Sequence, residues 1–406
     1  MEPLLSQISV VIVTRNRHKK LFECLRALAK STVKAFDVVV IDQSEKTNSF
    51  DLTIFSRKFT HFSHVYMEEK GKSRGLNKAI ALCSTPYLAF TDDDCVPDKD
   101  WLAEVLKSFA KQTEIGGVFG RTLPYQPILH KGEICPCTFS NRNSRVISSP
   151  GKHWKTIGFG NNMALRRDVL AKVGGFKEWL GPGSIGSNAE DAEIALRIIT
   201  RGGKLYYNHK MTVCHNRWMS TQEDQRQQLS YICGEIACYG TFSLRGFSFA
   251  KKVVKESLLL SKKECVQTLR AGIHMKKVFF PLFAQTFLRI LMKARGCIVA
   301  LYFHFSEEPE EAQQLDQNNS SVEEYIPLFM VENAVEVLAS KILQIKDHYR
   351  VEKSKITIWK NDDAHLSKTI ERINTLFFKS QLPLVATKDA NENTKIIITL
   401  DKVIST

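Results

Sequence analysis

The amino terminus of this 406-residue chain lacks the pattern of a secretory signal. Residues 1–7 contain no basic region followed by a long apolar core, so we expect no secretory signal and a cytoplasmic protein. The ten cysteines also lack the paired CxxC spacing of a zinc site and the regular spacing of a disulfide framework. We therefore expect reduced thiols.

Acidic residues are scarce in one long segment. Residues 245–295 contain twelve Lys or Arg against two acids, in a chain whose net charge is +14. Residues 307–324 show the reverse, because seven acids and no base stand there among Pro, Asn and Ser. This composition is typical of a linker, which we place at residues 306–324.

No stretch of the chain makes a good membrane span. The most apolar part, residues 278–305, contains three basic residues that would lie near the dry centre of a bilayer at about 3 kcal/mol each. Basic residues beside Phe and Leu at helical spacing favour helices that lie on an anionic membrane surface, through residues 245–305. The alternative is a helical layer packed on the rest of the protein with a solvated basic face.

Apolar runs predict the first strands of a parallel sheet. Residues 8–14 and 36–42 are rich in β-branched side chains, and a helical pattern between them completes a βαβ unit. The turn after the first strand has no glycine fingerprint, which argues against a dinucleotide site of Rossmann type. Arg15 and Arg17 in this turn could serve a phosphorylated ligand, or could simply lie on an exposed loop.

Three consecutive acids follow another apolar run, residues 86–90. Asp92, Asp93 and Asp94 would then stand at the carboxyl edge of the sheet, where open α/β folds bind ligands. Asp92 and Asp94 could share a divalent cation, because their hard oxygen ligands suit Mg²⁺ or Mn²⁺. A solvated turn leading into the next helix would explain the same residues, since acids also favour helix starts.

A second acidic pair, Glu190 and Asp191, opens a helix about a hundred residues further along the chain. Asn188 could cap this helix with Asp191 at its third position, as in a capping box. Residues 201–203, Arg-Gly-Gly, end it. Good helix chemistry would therefore explain this pair without any catalytic role.

Several motifs occur together in one order. Val-Thr-x-Asn-Arg ends the first strand, Ile-Asp-x-Ser ends the second, Gly-Lys-x-x-x-Leu-Asn-Lys-Ala spans residues 71–79, and Tyr-Leu-Ala-Phe-x-Asp-Asp-Asp spans residues 87–94. Residues 160–168 and 173–176, the pair Glu190-Asp191 and His215 follow. Over residues 7–217, about half of the chain, this series resembles family-2 glycosyltransferases of the GT-A fold.

The resemblance implies a role for each of these residues. Asp94 would be a direct metal ligand, Asp92 would contact the ribose or the metal, and His215 would complete the metal shell, although it could also be a structural histidine. Asp191 would be the general base, with Glu190 as its neighbour. The donor contacts implied by the resemblance are Thr14, Arg15, Asp42, Arg74, Asn77, Asp92 and Asp93.

These roles imply an inverting enzyme that depends on Mn²⁺ or Mg²⁺. It would transfer a sugar from a UDP-linked donor to a glycan or lipid-linked acceptor in cell-surface polysaccharide synthesis, at the inner face of the cytoplasmic membrane. No nucleic-acid partner is expected. The alternatives are a non-catalytic nucleotide-sugar-binding subunit and a sugar nucleotidyltransferase, although the latter usually has a Gly-rich basic loop that is missing here.

We expect four parts in the chain. Residues 1–220 would form a GT-A α/β domain, with a mixed, mostly parallel sheet flanked by helices. Residues 221–305 would form the basic helical region, and the linker would separate it from a small α/β domain at 325–406 whose role the sequence does not indicate. In that last domain, the patterns predict strands at 355–359 and 395–400 and helices at 331–345 and 366–378.

Overall fold

The computed structural model divides the chain into two compact units, with the boundary between residues 238 and 239. It describes residues 6–45, 52–150, 157–274, 276–306, 349–352, 355–359, 384–388 and 395–400. The predicted linker beyond residue 306 and the helices predicted at 331–345 and 366–378 lie outside these residues.

The first unit is built on a nine-stranded sheet. Its strands are β1 (Ile8–Thr14), β2 (Asp37–Asp42), β3 (Phe62–Tyr66), β4 (Tyr87–Thr91), β5 (Cys95–Pro97), β6 (Ile115–Pro124), β7 (Arg145–Ile147), β8 (Asn162–Arg166) and β9 (Lys204–His215). They lie in the order β3-β2-β1-β4-β8-β6-β9-β5, and β7 pairs with β9.

The first four strands of this order are parallel. The Val and Ile side chains of β1 and β2 are almost wholly buried, as expected for strands covered on both faces. The strands predicted at 8–14, 36–42 and 86–90 are thereby confirmed. Because parallel strands end at one edge, Thr14, Asp42 and Thr91 lie along the same side of the sheet.

The remaining strands bring a distant histidine to that edge. β8 runs antiparallel to β4 and β6, and β9 runs parallel to β6. The short strand β5 then pairs antiparallel with the end of β9, so that Cys95 faces His215. The acidic triplet directly precedes β5, and His215 therefore comes beside it.

Helices cover both faces of the sheet, which confirms the predicted GT-A-type α/β architecture. The α-helices among the described residues are α1 (His18–Leu28), α2 (Lys72–Leu82), α3 (Trp101–Lys111), α4 (Arg167–Val173), α5 (Glu190–Thr200), α6 (Thr221–Leu244), α7 (Ser248–His274) and α8 (Lys276–Ser306). One core cluster packs α1 and α3 against the sheet, and the other packs α2, α4 and α5 against it.

In the second unit, α7 and α8 pack against each other. Lys293 is buried in this pair, where its Nζ donates to the Ser257 carbonyl and the Ser261 hydroxyl at 2.7 Å each. Arg295 is buried as well. These two cations do not contribute to a basic surface, which corrects the expectation that the basic residues of 245–305 face outwards. Within the described part of the chain, no helix combines the length and apolarity needed to cross a bilayer.

A small antiparallel sheet lies near the end of the chain. Its strands β10 (Tyr349–Glu352), β11 (Lys355–Trp359), β12 (Leu384–Lys388) and β13 (Lys395–Leu400) lie in the order β10-β11-β13-β12. The strands predicted at 355–359 and 395–400 are confirmed.

A buried ion pair within α5 holds Arg197 against the end of α4. The side chains of Glu193 and Arg197 form a salt bridge, and each is 3% exposed. Arg197 also donates to the carbonyls of Val173, at 2.6 Å, and Gly174 at the end of α4.

Arg197→Met would leave the Glu193 carboxylate buried without a cation, so we expect the free energy of unfolding to fall by about 3–5 kcal/mol in a urea titration.

The double variant Glu193→Gln/Arg197→Met is the control for this prediction. It removes both charges and should lose less stability than Arg197→Met alone. A loss below about 1 kcal/mol in the single variant would contradict the prediction.

Candidate active site

A cavity of about 800 Å³ opens at the carboxyl edge of the sheet. This volume lies within the range that holds small-molecule substrates. Its wall combines both acidic groups singled out by the sequence with several cations and aromatic rings. The residues that line it include Thr14, Arg15, Arg17, Lys72, Asp92, Asp94, His130, Gly160, Glu190, Asp191, His215, Arg217, Trp218 and Tyr231.

The three acids of the triplet have three different environments. Asp93 is completely buried, accepts a 2.7 Å hydrogen bond from Thr14 and lies 2.9 Å from the Arg17 guanidinium. Asp94 accepts a hydrogen bond from Arg17 and faces His215. Asp92 lies 2.6 Å from Nζ of Lys72. Only Asp92 and Asp94 line the cavity, so Asp93 is placed to hold the turn rather than a ligand.

The His215 ring is fixed in an orientation suited to binding a cation. Its Nδ1 lies 2.7 Å from the carbonyl oxygen of Pro136, to which it can donate. Nε2 is directed at Oδ1 of Asp94, 3.3 Å away. The Asp94 carboxylate raises the pKa of His215 to about 10 against the effect of burial, so a bound cation would take the place of the proton on Nε2. A histidine whose second nitrogen donates to a backbone carbonyl is the usual arrangement for a metal ligand.

The residues at this point fit a divalent cation. Oδ1 of Asp94 is buried and makes no hydrogen bond, which leaves a carboxylate oxygen beside an imidazole nitrogen. The thiol of Cys95 is the third possible ligand within 4.8 Å. Burial raises the pKa of the Cys95 thiol well above its usual value when no metal is bound. Mn²⁺ and Mg²⁺ prefer carboxylate and imidazole to a thiol, so Asp94 and His215 are the two ligands of this group that suit them.

The carboxylate of Asp191 is fixed on the other side of the cavity. Oδ2 accepts a 2.6 Å hydrogen bond from the N–H of Gly160, and Oδ1 accepts one of 2.8 Å from the N–H of Ala192. A Cβ at position 160 would lie 2.9 Å from Cβ of Asp191, so only glycine permits this approach. Burial raises the pKa of Asp191, although both N–H groups oppose the shift. A fixed carboxylate with a raised pKa is suited to act as a general base.

Lys72 connects the two acidic groups. Its Nζ lies 2.6 Å from Asp92 and 3.4 Å from Glu190. Burial raises the pKa of Glu190 to about 7, even though Lys72 acts in the opposite direction. A single ammonium thus balances one carboxylate from the triplet and one from the start of α5.

The start of α5 differs from the predicted capping box. The residue before the helix is Ala189, whose φ of +74° lies in the left-handed region that disfavours side chains. Asn188 donates instead from Nδ2 to the Ser230 hydroxyl at 2.6 Å. The predicted cap is therefore wrong, and a strained backbone directs Glu190 and Asp191 into the cavity.

The predicted donor contacts divide into two groups. Thr14, Arg15 and Asp92 line the cavity, whereas Asp42, Arg74, Asn77 and Asp93 do not. Arg74 forms an ion pair with Glu178 at 3.4 Å, and Asn77 exchanges hydrogen bonds with the backbone of Phe176. Both side chains thus hold the loop after α4 in place.

Sequence patterns missed several residues of the wall. Lys72 stands within a motif at a helix start, and its charge was the available signal. The rings of His130 and Trp218 stack 4.3 Å apart, and Tyr231 of α6 lies on the same wall. Nothing in the local sequence around these aromatic residues indicates that they face the triplet.

The geometry defines an α/β domain with acids and cations at the carboxyl edge of its sheet. Residues 9–174 match the model of glycosyl transferase family 2. The matched range contains the acidic triplet but ends before Asp191 and His215.

Curated relatives carry the same activity in their names. The chain is 24% identical over 216 residues to a glucosyl-dolichyl phosphate glucuronosyltransferase of Haloferax volcanii, covering 52% of this chain and 69% of the relative. It is 26% identical over 243 residues to a pre-mycofactocin glycosyltransferase of Mycobacterium tuberculosis, covering 57% of this chain and 46% of the relative. The chain thus spans about half the length of the second relative.

Among solved structures, a mannosyltransferase from Pyrobaculum calidifontis in complex with GDP-Man and Mn²⁺ is similar at 16% identity and a TM-score of 0.47. The match covers 74% of this chain and 88% of that protein.

The pKa of Asp42 makes the stability of the fold depend on pH in the acid range. Burial alone would raise its pKa, but hydrogen bonds from His64 and Ser44 outweigh burial and lower the pKa to about 2. The pKa of Asp in an unfolded chain is about 3.9. Asp42 therefore contributes about 2 kcal/mol of stability that is fully present above that pH and is lost as pH falls through about 2.

Asp42→Asn removes this contribution. We expect a clear loss of unfolding free energy at pH 6 and a much smaller one near pH 2, measured by urea titration at each pH. Asp168→Asn makes the same substitution on the exposed surface and is the control. Equal losses at both pH values would contradict the pKa of Asp42.

Proposed function

We propose that this chain transfers a sugar from a nucleotide-diphosphate donor to a hydroxyl acceptor in one inverting displacement. The observation that carries the proposal is the placing of two unlike acidic groups in one cavity. Asp92 and Asp94 lie with His215 at the end of β4, whereas Asp191 and Glu190 lie at the start of α5. A direct displacement needs this division, since the leaving group and the proton depart from opposite sides of the anomeric carbon.

The triplet side would hold the leaving diphosphate. Asp94 and His215 would bind Mn²⁺ or Mg²⁺, which supplies Lewis-acid neutralisation of the diphosphate. Asp92, which lies 2.6 Å from Nζ of Lys72, would contact the ribose. Thr14 and Arg15 line the cavity at the end of β1, where the nucleotide would enter. The guanidinium of Arg15 offers a positive charge to the phosphates. We propose a UDP-linked sugar as the donor.

The α5 side would bind the acceptor hydroxyl and remove its proton. Each oxygen of Asp191 already accepts one backbone N–H, and each keeps a second lone pair that can face the acceptor. The fixed orientation lets Asp191 take the proton as the hydroxyl attacks. Glu190 would lie beside Asp191, 3.4 Å from Nζ of Lys72.

The acceptor would be a glycan or a lipid-linked sugar, used in cell-surface polysaccharide synthesis at the inner face of the cytoplasmic membrane. Support comes from the name of the Haloferax relative, which includes a dolichyl phosphate.

Asp191→Asn tests the base. The amide keeps the shape of the side chain but cannot accept the proton, so turnover should fall by about 10²–10⁴ while donor binding stays within about twofold. The substrate would be the best sugar nucleotide from a screen for metal-dependent hydrolysis, and Asp168→Asn would be the surface control. If Asp191→Asn kept full turnover while Asp94→Ala abolished nucleotide binding, the base would be wrongly assigned. No turnover in the wild type with any sugar nucleotide would favour a non-catalytic binding subunit.

One face of α7 supports contact with an anionic membrane. Lys252, Lys255, Lys262 and Lys263 are exposed there at helical spacing. Between them, Leu259, Leu260 and Val266 are 40–54% exposed. Lysines beside exposed apolar side chains are typical of helices that lie in a membrane interface. We propose that this face binds anionic lipid.

Charge reversal tests the lipid contact. Lys262→Glu/Lys263→Glu should reduce binding to phosphatidylserine vesicles at least tenfold, because each basic residue near such a surface contributes about 1 kcal/mol. Binding of the wild type should also weaken as salt rises. The control Lys30→Glu/Lys58→Glu makes the same change of charge on exposed residues of the first unit. Equal loss in both double variants would indicate nonspecific attraction and contradict the proposal.

A further inference from the structure

The side chain that occupies the acidic triplet is Arg17. Its Nη1 donates to Oδ2 of Asp94, and its Nη2 lies 2.9 Å from Oδ1 of Asp93. Asp93 is completely buried and Asp94 is 4% exposed. Two adjacent carboxylates in such a place repel each other strongly unless a cation lies between them. Arg17 is that cation when no metal is bound.

Arg17 is held at the triplet by its side chain alone. Its backbone carbonyl accepts the N–H groups of Lys20 and Leu21 at the start of α1, and its side chain makes no capping bond to the helix. The side chain is 43% exposed and lines the cavity. It can therefore leave the carboxylates by rotating about its own bonds, with β1 and α1 unchanged.

We propose that Arg17 and the divalent cation compete for Asp94, so that metal enters this site only as Arg17 leaves it. The proposal rests on the metal site of the proposed function. Oδ2 of Asp94 is occupied by the guanidinium, and only Oδ1 faces His215 without a hydrogen bond. A guanidinium beside an arriving cation would repel it. The displaced Arg17 remains in the cavity, where a diphosphate can accept its N–H groups.

This competition has a consequence for the order of binding. Free metal must displace Arg17 without any compensating contact, whereas a metal bound to a nucleoside diphosphate brings an anion that receives the displaced guanidinium. The chain should therefore bind free Mn²⁺ weakly and bind Mn²⁺ with a nucleoside diphosphate more tightly.

Titration with free Mn²⁺, followed by electron paramagnetic resonance on the full chain, tests the competition. Arg17→Gln should bind Mn²⁺ at least about fivefold more tightly than the wild type, the low end of coupling between two linked sites. Arg26→Gln is the matched control, because it removes the same charge from an exposed position of α1 and should change nothing. Equal or weaker Mn²⁺ binding by Arg17→Gln would overturn the proposal and indicate that Arg17 keeps its contacts with Asp93 and Asp94 when the metal binds.

Thermal melting adds a second readout. In EDTA, Arg17→Gln should melt below the wild type, since Asp93 and Asp94 lose their cation, and Mn²⁺ should raise its melting temperature more than that of the wild type. Should the glutamine variant fail to fold, Arg17→Lys serves instead, because its single ammonium cannot bridge both carboxylates. It should also bind Mn²⁺ more tightly than the wild type, and equal or weaker binding would overturn the proposal.

Asp94→Asn separates this proposal from the proposed metal site. If Asp94→Asn lost Mn²⁺ binding while Arg17→Gln bound Mn²⁺ as the wild type does, the proposed competition would be wrong and the proposed metal site would stand. Retained Mn²⁺ binding in Asp94→Asn would overturn the site. If neither the wild type nor Arg17→Gln bound Mn²⁺, both would be wrong.

Discussion

The contact of Lys72 with Asp92 and Glu190 is the constraint on which the cavity depends. Six carboxylates line the cavity, and burial raises the pKa of two of them, Glu190 and Asp191. Without internal cations these groups would take up protons or force the walls apart. Lys72 keeps the two acidic groups close enough to act on one substrate.

The fold supplies such cations at one recurring place. Lys72 opens α2 and Arg17 directly precedes α1, so both follow parallel strands that end at the same edge. Their long side chains reach across that edge to acids after β4. The sheet therefore brings cations and acids together through strand order alone, and the substrate cavity lies where they meet. Thr14 and Arg17 reach the completely buried Asp93 from β1 and the start of α1. Both oppose the effect of burial, which raises the pKa of Asp93 to about 7.

Part of this site could be predicted from the sequence. Residues 8–14 and 86–90 are too apolar to lie anywhere but in a buried sheet, so the acids after Thr91 had to lie at its edge. The helix opened by Glu190 and Asp191 followed from its apolar face. The position of His215 beside Asp94 came only from the family resemblance, because it depends on the pairing of β5 with β9.

Other features depend on contacts between residues far apart in the chain. The sequence shows that Lys72 is basic. Its contacts with Asp92 and Glu190, rather than with solvent, depend on how α2 and α5 pack on the sheet. Asn188 is a residue type that caps helices, yet its side chain donates to Ser230 of α6, 42 residues away. Lys293 follows the pattern of a surface cation but turns inward to two oxygen atoms of α7. In each case packing overrides a local preference.

A crystal structure with Mn²⁺ and UDP, with anomalous scattering recorded at the manganese edge, would test the central claim most directly. We expect one strong anomalous peak in coordination contact with Asp94 and His215, with the diphosphate bound to the same ion and Asp191 across the cavity from it. A peak elsewhere in the first unit, or a bound diphosphate with no metal beside Asp94, would contradict the assignment of the triplet as the metal–diphosphate site.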